Sequence, residues 1–358
     1  MNKLTFLLPL KDRPNYTRIW LKHNLRPEYD YFVADGSIGD EHEELFRNMI
    51  LPNLTYVRFS KDLSIDCYVE KMVQAISRVQ TKFVMTCDND DFINFEGVFS
   101  CINALEEDSG AICAGGPIYG VMQNGISFPE SCYSLPEKLQ DAEGLHNLSG
   151  FNALVQFFKN YRYMWYSIFR TEVYKNIWQN IKQLQISNVF LLELLQGELT
   201  FCHGKYIQVK TSHYIRLLNP VTNCATEASQ NQMHPMRKIF FDDTYRCQVI
   251  RMSEHVAKLV DVSLDELLSE LTNYYISGNA RIWWESHTPG NDQKRIPLCS
   301  KIYARLILYS KKFARLIWCR GKFPNFYPFE SMIAFINTAQ PKNKRSIFGR
   351  KCCMKNIK

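Results

Sequence analysis

The run Phe83-Val84-Met85-Thr86-Cys87-Asp88-Asn89-Asp90-Asp91-Phe92 is a short β-prone, mostly apolar stretch that stops at three carboxylates within four positions. A strand is a rigid platform, and open α/β sheets place ligand sites beyond the carboxyl ends of their strands. Carboxylates this close repel one another and desolvate poorly, so they call for a cation or strong donors beside them. Oxygen-only ligands suit Mg²⁺ or Mn²⁺, which keep waters and bind substrate phosphates. The plainer reading is a strand followed by an acidic helix cap, a position Asp favours.

The preceding residues bear on that choice. Leu4 to Leu10 is a near-continuous apolar run, as a strand buried on both faces requires. Tyr16 to Leu25 has helical spacing, Tyr29 to Ala34 reads as a second strand, and Glu41 to Met49 as a helix. Leu54 to Phe59, Ile65 to Val79 and Phe83 to Cys87 continue as strand, helix and strand. This alternation predicts an α/β fold with a mostly parallel sheet and helices on both faces. Three of its strands end in acids: Asp12, Asp35, and the set Asp88, Asp90 and Asp91. In a parallel sheet those ends share one edge. One turn Asp is ordinary; acids at three strand ends point to a site.

The first strand-to-helix turn, Lys11-Asp12-Arg13-Pro14-Asn15, has no Gly-rich phosphate loop of either dinucleotide or P-loop type. Any bound diphosphate is therefore held by metal and side chains. Further on, Glu96 to Glu107 is helical, and Gly110 to Gly116 is a small-residue strand. Residues 117–150 read as a loop or short strands. Tyr161 to Arg170 is a β-like run dense in aromatics, with Trp165 and Tyr166 on opposite faces. Glu172 to Lys182 is helical, Val189 to Gly197 is a helix carrying Glu193, and Gly204 to Arg216 is β-like with His213 and Arg216 at its end. Residues 236–288 are helical, with Ser263 placed as an N-cap.

The first half resembles the family 2 glycosyltransferases of GT-A fold. The resemblance rests on Phe6-Leu7-Leu8-Pro9-Leu10-Lys11-Asp12-Arg13-Pro14, Val33-Ala34-Asp35-Gly36-Ser37, Cys87-Asp88-Asn89-Asp90-Asp91-Phe92, and Met164-Trp165-Tyr166-Ser167-Ile168-Phe169-Arg170-Thr171, in that order. The last of these looks like the acceptor-side strand of a bacterial subgroup. It implies that Pro9, Lys11, Asp12 and Asp35 line the base and ribose pocket of a nucleotide-sugar donor, and that Asp88 lies against ribose and diphosphate. Asp90 would ligate a divalent metal, Mn²⁺ or Mg²⁺, with Asp91 and His213 as further ligands. Arg216 offers a fork to the diphosphate, and Glu193 resembles the catalytic base. The family pairs two acids at that point, whereas this chain has Leu192-Glu193-Leu194, so Glu198 competes for the role. The implied activity is inverting sugar transfer to a glycan or lipid-linked acceptor in cell-surface polysaccharide synthesis. The rivals are a nucleotidyltransferase making the sugar nucleotide, which normally opens with a Gly-rich loop, and a non-catalytic sugar- or membrane-binding module.

Composition adds the outline. With 46% hydrophobic and 13% aromatic residues in 358, the chain has material for a sizeable core. It contains no apolar run long enough to span a bilayer, and its N-terminus reads as a buried strand rather than a leader. The 12 cysteines include no C-x-x-C pair. Charge is uneven: Gln293 to Lys358 holds 16 of the 43 basic residues and one of the 36 acids, leaving 27 against 35 upstream. Ile302, Leu306, Tyr309, Phe313 and Leu316 fall on one helical stripe, with Lys301, Arg305, Lys311, Lys312 and Arg315 off it. The expected organisation is a catalytic domain over 1–218, a helical extension over 219–298 and a basic amphipathic tail over 299–358. The tail is read as binding an anionic membrane at its cytoplasmic face, and not nucleic acid, for which it shows no motif.

Overall fold

Side chains alternate across the main sheet with the two-residue period of a strand covered on both faces. In β1 (Leu4–Leu10), Leu7 joins one hydrophobic cluster while Leu4, Phe6, Leu8 and Leu10 join the other. The computed structural model describes residues 2–47, 49, 51–124, 132–218, 235–276 and 329–338. β1 leads into α1 (Pro14–Asn24), and β2 (Asp30–Asp35), α2 (Glu41–Arg47), β3 (Leu54–Arg58), α3 (Ile65–Ser77) and β4 (Phe83–Thr86) follow, as the sequence pattern predicts. The chain continues through β5 (Phe92–Ile93), α4 (Phe95–Glu107), β6 (Ala111–Gly115) and β7 (Ile118–Val121). Short strands β8 (Gln123–Asn124), β9 (Cys132–Tyr133) and β10 (Glu137–Gln140) lead to α5 (Gly150–Lys159), β11 (Ile168–Arg170), α6 (Thr171–Leu184) and α7 (Val189–His203). Then come β12 (Lys205–Gln208), β13 (Tyr214–Leu217), α8 (Pro235–Phe241), α9 (Asp243–Val260), α10 (Leu264–Ile276) and α11 (Phe329–Thr338).

The seven-stranded sheet has the order β12-β6-β11-β4-β1-β2-β3. All its pairings are parallel except those of β11, which runs antiparallel between β4 and β6. Strands β4, β1 and β2 are neighbours, so their acidic carboxyl ends do lie side by side. A second sheet, β10-β7-β13-β5, stands beyond that edge.

Two β-like readings need correcting. Of the run 161–170 only Ile168–Arg170 is strand; Ser167 N–H closes a turn onto the Met164 carbonyl, and the aromatics before it pack sideways. The stretch 204–216 is two strands in different sheets, β12 on β6 and β13 on β7 and β5. The segment between them lies against two glycines. A Cβ at Gly97 would sit 1.9 Å from the Ser212 carbonyl oxygen, and one at Gly116 the same distance from that of Thr211.

Helices α9 and α10 do not stand apart. Tyr245, Val249, Met252, Leu267, Leu271 and Tyr275 share a single cluster with Phe157 of α5 and Leu191 and Leu195 of α7. Helix α11, from within the basic tail, buries Phe329, Met332 and Ile336 against Phe92, Ile215 and Leu217 of the second sheet and Tyr133 of the β8-β9 pair. An isolated ten-residue helix is marginal in water; burying three apolar side chains at about 1.5–3 kcal/mol each accounts for its docking. The stripe 302–316 lies outside the described residues. Among those described, no helix is long and apolar enough to cross a membrane.

Candidate active site

The acidic loop leaves β4 and is folded back by its own neighbours. Asp88, Asp90 and Asp91 each present a carboxylate oxygen, all within 4.8 Å of one another. The Tyr166 hydroxyl donates to Asp88 Oδ2 at 2.7 Å, and Asp88 N–H donates to the Tyr214 hydroxyl at 3.0 Å. The two tyrosines stack with centroids 4.2 Å apart. Asp91 Oδ1 accepts from Leu217 N–H at 2.8 Å, which ties the loop to β13. Burial, then repulsion from Asp90, pushes the Asp88 and Asp91 carboxyls above their ordinary range.

Arginines approach this cluster from both sides. Asp12 and Arg13 adopt the left-handed conformation, φ 56° and 61°, at the end of β1. Each non-glycine residue held there costs about 1–2 kcal/mol. The offset is visible: Asp12 N–H donates to Ser37 Oγ at 2.7 Å, and Asp12 Oδ1 accepts from Ile38 N–H at 3.0 Å. This turn swings Arg13 across to Asp90 Oδ2 at 2.8 Å and to Asn89 Oδ1 at 2.7 Å. On the other side Arg216 Nε lies 3.9 Å from Asp91 Oδ2, with its guanidinium over the rings of Tyr163 at 5.0 Å and Tyr166 at 5.6 Å.

Glu193 feels the charges of the same cluster. It is partly buried on α7, and the charges acting on it are those of Arg216 and Asp88. Burial raises its carboxyl to about 7; Arg216 opposes the shift and Asp88 adds to it. Glu198 points elsewhere. It is fully buried, neither of its oxygens has a hydrogen-bond partner, and the titratable side chains it acts on are Cys202, Tyr274 and Tyr275.

The remaining predicted residues divide. Pro9 and Lys11 are partly buried at the end of β1, beside the acidic edge. Asp35 sits behind that edge with no exposure. Its Oδ2 accepts from the Tyr56 hydroxyl at 2.6 Å and Arg58 Nη1 at 2.5 Å, its Oδ1 from Ser37 N–H at 2.9 Å. Burial works to raise this carboxyl, but the hydrogen bonds from Ser37, Tyr56 and Arg58 outweigh it and hold it below its ordinary range. His213 as a metal ligand is a correction. Its Nδ1 accepts from Gly116 N–H at 2.8 Å, so its Nε2 carries the proton and donates to the Tyr166 carbonyl at 2.9 Å. Both ring nitrogens are spent on the main chain, and burial lowers its pKa to about 4. Sequence reasoning gave no role to Arg13, Tyr166 or Tyr214; the acidic loop's need for donors is the signal that would have pointed to them.

The donor set fits a divalent cation. Asp91 Oδ2 is buried without a hydrogen-bond partner, and the oxygens gathered around it are hard ligands. Asp88, Asp90 and Asp91 would hold it. A separate surface cavity of about 420 Å³ beside α11, lined by Tyr119, Lys138, Asp141, His146 and Lys210 among others, includes none of the acidic cluster.

A mostly parallel seven-stranded sheet with one reversed strand and an acidic loop beyond its fourth strand is a GT-A fold. Among solved structures the chain is similar to S. aureus TarS 1–349 in complex with UDP-GlcNAc. The TM-score is 0.51 at 14% identity, over 77% of this chain and 72% of that one. TarS 1–349 in complex with UDP gives a TM-score of 0.43 at 15% identity, over 78% and 91%. No family model matches the sequence, and neither does any curated protein.

Proposed function

We propose that the chain is a metal-dependent, inverting glycosyltransferase that moves a sugar from a nucleoside diphosphate to an acceptor hydroxyl. The observation that carries this is the cluster of three carboxylates within 4.8 Å of one another, with a buried Asp91 oxygen that accepts no hydrogen bond; the charge of Asp88 and of Arg216 also acts on Glu193, whose carboxyl burial raises to about 7. A base is most effective when its pKa lies near the working pH. Glu193 takes the acceptor proton as the acceptor oxygen bonds to the anomeric carbon. The bond from that carbon to the diphosphate oxygen breaks, and the nucleoside diphosphate leaves with the electron pair. A bound divalent cation would supply Lewis-acid neutralisation of that charge. Arg216, on the same side, adds a positive field that costs no reorganisation. Tyr166 holds Asp88 in place. UDP is the first diphosphate to test, because the TarS structure with a TM-score above 0.5 holds UDP-GlcNAc.

The test is thermal unfolding with UDP, GDP and CDP, each with and without Mn²⁺. Saturation at about 100 Kd stabilises by about 2.7 kcal/mol. UDP is expected to raise Tm only when Mn²⁺ is present. Equal shifts with and without the metal remove the metal from the reading, and no shift with any nucleotide removes the donor.

We further read the basic tail as a peripheral anchor to the cytoplasmic face of the cell membrane, where a lipid-linked glycan acceptor would be met. Its support is charge and stripe, not fold. Because α11 is docked on the second sheet, deleting the tail would bare Phe92 and Tyr133. The cleaner variant replaces Lys301, Arg305, Lys311, Lys312 and Arg315 with Gln. It should lose co-sedimentation with anionic liposomes, as the wild type should at high salt. Equal pelleting of variant and wild type would sink the anchor.

A further inference from the structure

A relay of buried hydrogen bonds runs behind the acidic loop, and its midpoint is His42. His42 Nδ1 lies 2.9 Å from Ser37 Oγ, and its Nε2 lies 2.8 Å from Thr17 Oγ1. Thr17 Oγ1 accepts from Asn89 Nδ2 at 2.9 Å, and Asn89 Oδ1 accepts from Arg13 Nη2 at 2.7 Å. Arg13 Nη1 then donates to Asp90 Oδ2 at 2.8 Å. Asp35, Ser37, His42, Thr17 and Asn89 are all buried. The relay crosses from the end of β2 to the loop after β4, over the end of β1 that lies between them.

Its direction is fixed from both ends. A guanidinium only donates, so Arg13 holds the Asn89 oxygen and turns the Asn89 amino group to Thr17. Thr17 accepts there, and its own hydroxyl proton goes to His42 Nε2. At the other end the Asp35 carboxylate only accepts. Ser37 Oγ takes the Asp12 N–H and gives its proton to Asp35, so His42 Nδ1 carries the proton that it donates to Ser37. Both ends require one neutral tautomer, Nδ1–H. The opposite tautomer would turn the Thr17 proton towards Asn89. Asn89 would have to answer with its oxygen, leaving its amino group against the Arg13 guanidinium.

We propose that His42 is a positioning residue for the acidic loop: through Thr17 it orients the Asn89 amide, and through Asn89 it sets the Arg13 fork on Asp90. The inference rests on the reading of that loop as a metal site and adds what holds it in shape. Partners that orient a metal ligand from behind are typically worth about 10- to 100-fold in metal affinity.

Thr17→Val keeps the shape of the side chain and removes the relay hydroxyl, whereas Thr17→Ser keeps the hydroxyl. Electron paramagnetic resonance of free Mn²⁺, with the full chain and saturating UDP, gives the metal affinity without turnover. Thr17→Val should weaken Mn²⁺ binding by about tenfold or more, and Thr17→Ser by less than about threefold. A hydroxyl that only supported the fold would lower Tm and leave the Mn²⁺ affinity of the folded protein unchanged. Long-range ¹H–¹⁵N spectra of the unliganded wild type should show His42 as the Nδ1–H tautomer, and the Asn89 side-chain amide should exchange slowly with solvent. These wild-type readings stand even where Thr17→Val fails to fold. An Nε2–H tautomer, an imidazolium at about pH 8 or a fast-exchanging Asn89 amide would each overturn the proposal. So would an Mn²⁺ affinity unchanged in Thr17→Val or equally reduced in Thr17→Ser. Wild type that binds no Mn²⁺ would instead fail the metal reading, and the tautomer and the Asn89 exchange, both read without metal, would still decide the relay.

Discussion

Asp90→Asn should cut sugar transfer by about 10³-fold, the equivalent of about 4 kcal/mol of transition-state stabilisation. The substitution keeps the side chain's shape and leaves an oxygen for Arg13, which now donates to Asp90 at 2.8 Å. It removes one of three carboxylates clustered within 4.8 Å. Asp90 is largely buried and paired with Arg13, but neutralising it also relieves its repulsion of Asp88 and Asp91, so the unliganded protein should stay folded. The stabilisation by UDP with Mn²⁺ should fall to that seen without metal. These readouts separate two cases. Loss of transfer with metal-linked stabilisation retained would make Asp90 a positioning residue for Arg13. Retention of both would move the metal site away from this loop.

Much of this arrangement was legible in the sequence because the information is local. Alternating strand and helix periods fix a parallel sheet, and a parallel sheet brings Asp12, Asp35 and the Asp88–Asp91 loop to one edge. The neighbours β4, β1 and β2 bear that out. What escaped depends on contacts distant in sequence. Nothing near Arg13 announces the left-handed pair that carries it to Asp90, 77 residues on. His213 has the residue type of a ligand, but the close approach of Gly116 commits its Nδ1 to the backbone. The aromatic run at 161–166 has strand composition, yet Tyr166 serves Asp88 from a turn. Helix α11 was legible in principle. Phe329, Met332 and Ile336 stand at helical spacing, within a stretch whose composition is otherwise basic.

Glu193→Gln should lower kcat by about 10²–10⁴, the range over which a positioned base contributes, with the KM for the donor little changed. The same residue predicts two pH profiles. A base acts when deprotonated, so wild-type kcat should rise through about pH 7 and level off above it, with a slope of one proton on the acid side. The variant should lose that limb. Stability runs the other way. Burial raises the folded-state carboxyl from 4.5 to about 7, so the fold favours the neutral form. That contribution is complete below the unfolded-state pKa and is lost as pH rises through about 7. At about 1.36 kcal/mol per unit, the ionised side chain costs the wild type up to about 3 kcal/mol above pH 8. Gln pays none of this, so Glu193→Gln should be the more stable protein at pH 8 and come to match the wild type only below about pH 4.5. A residue that is both costly to the fold and necessary to turnover behaves as a functional site. If kcat holds while stability rises, Glu193 is buried without purpose for the chemistry. Glu198 is no ready substitute: it is fully buried, and neither Asp88 nor Arg216 is among the groups acting on it. A base would then have to be sought elsewhere in the chain.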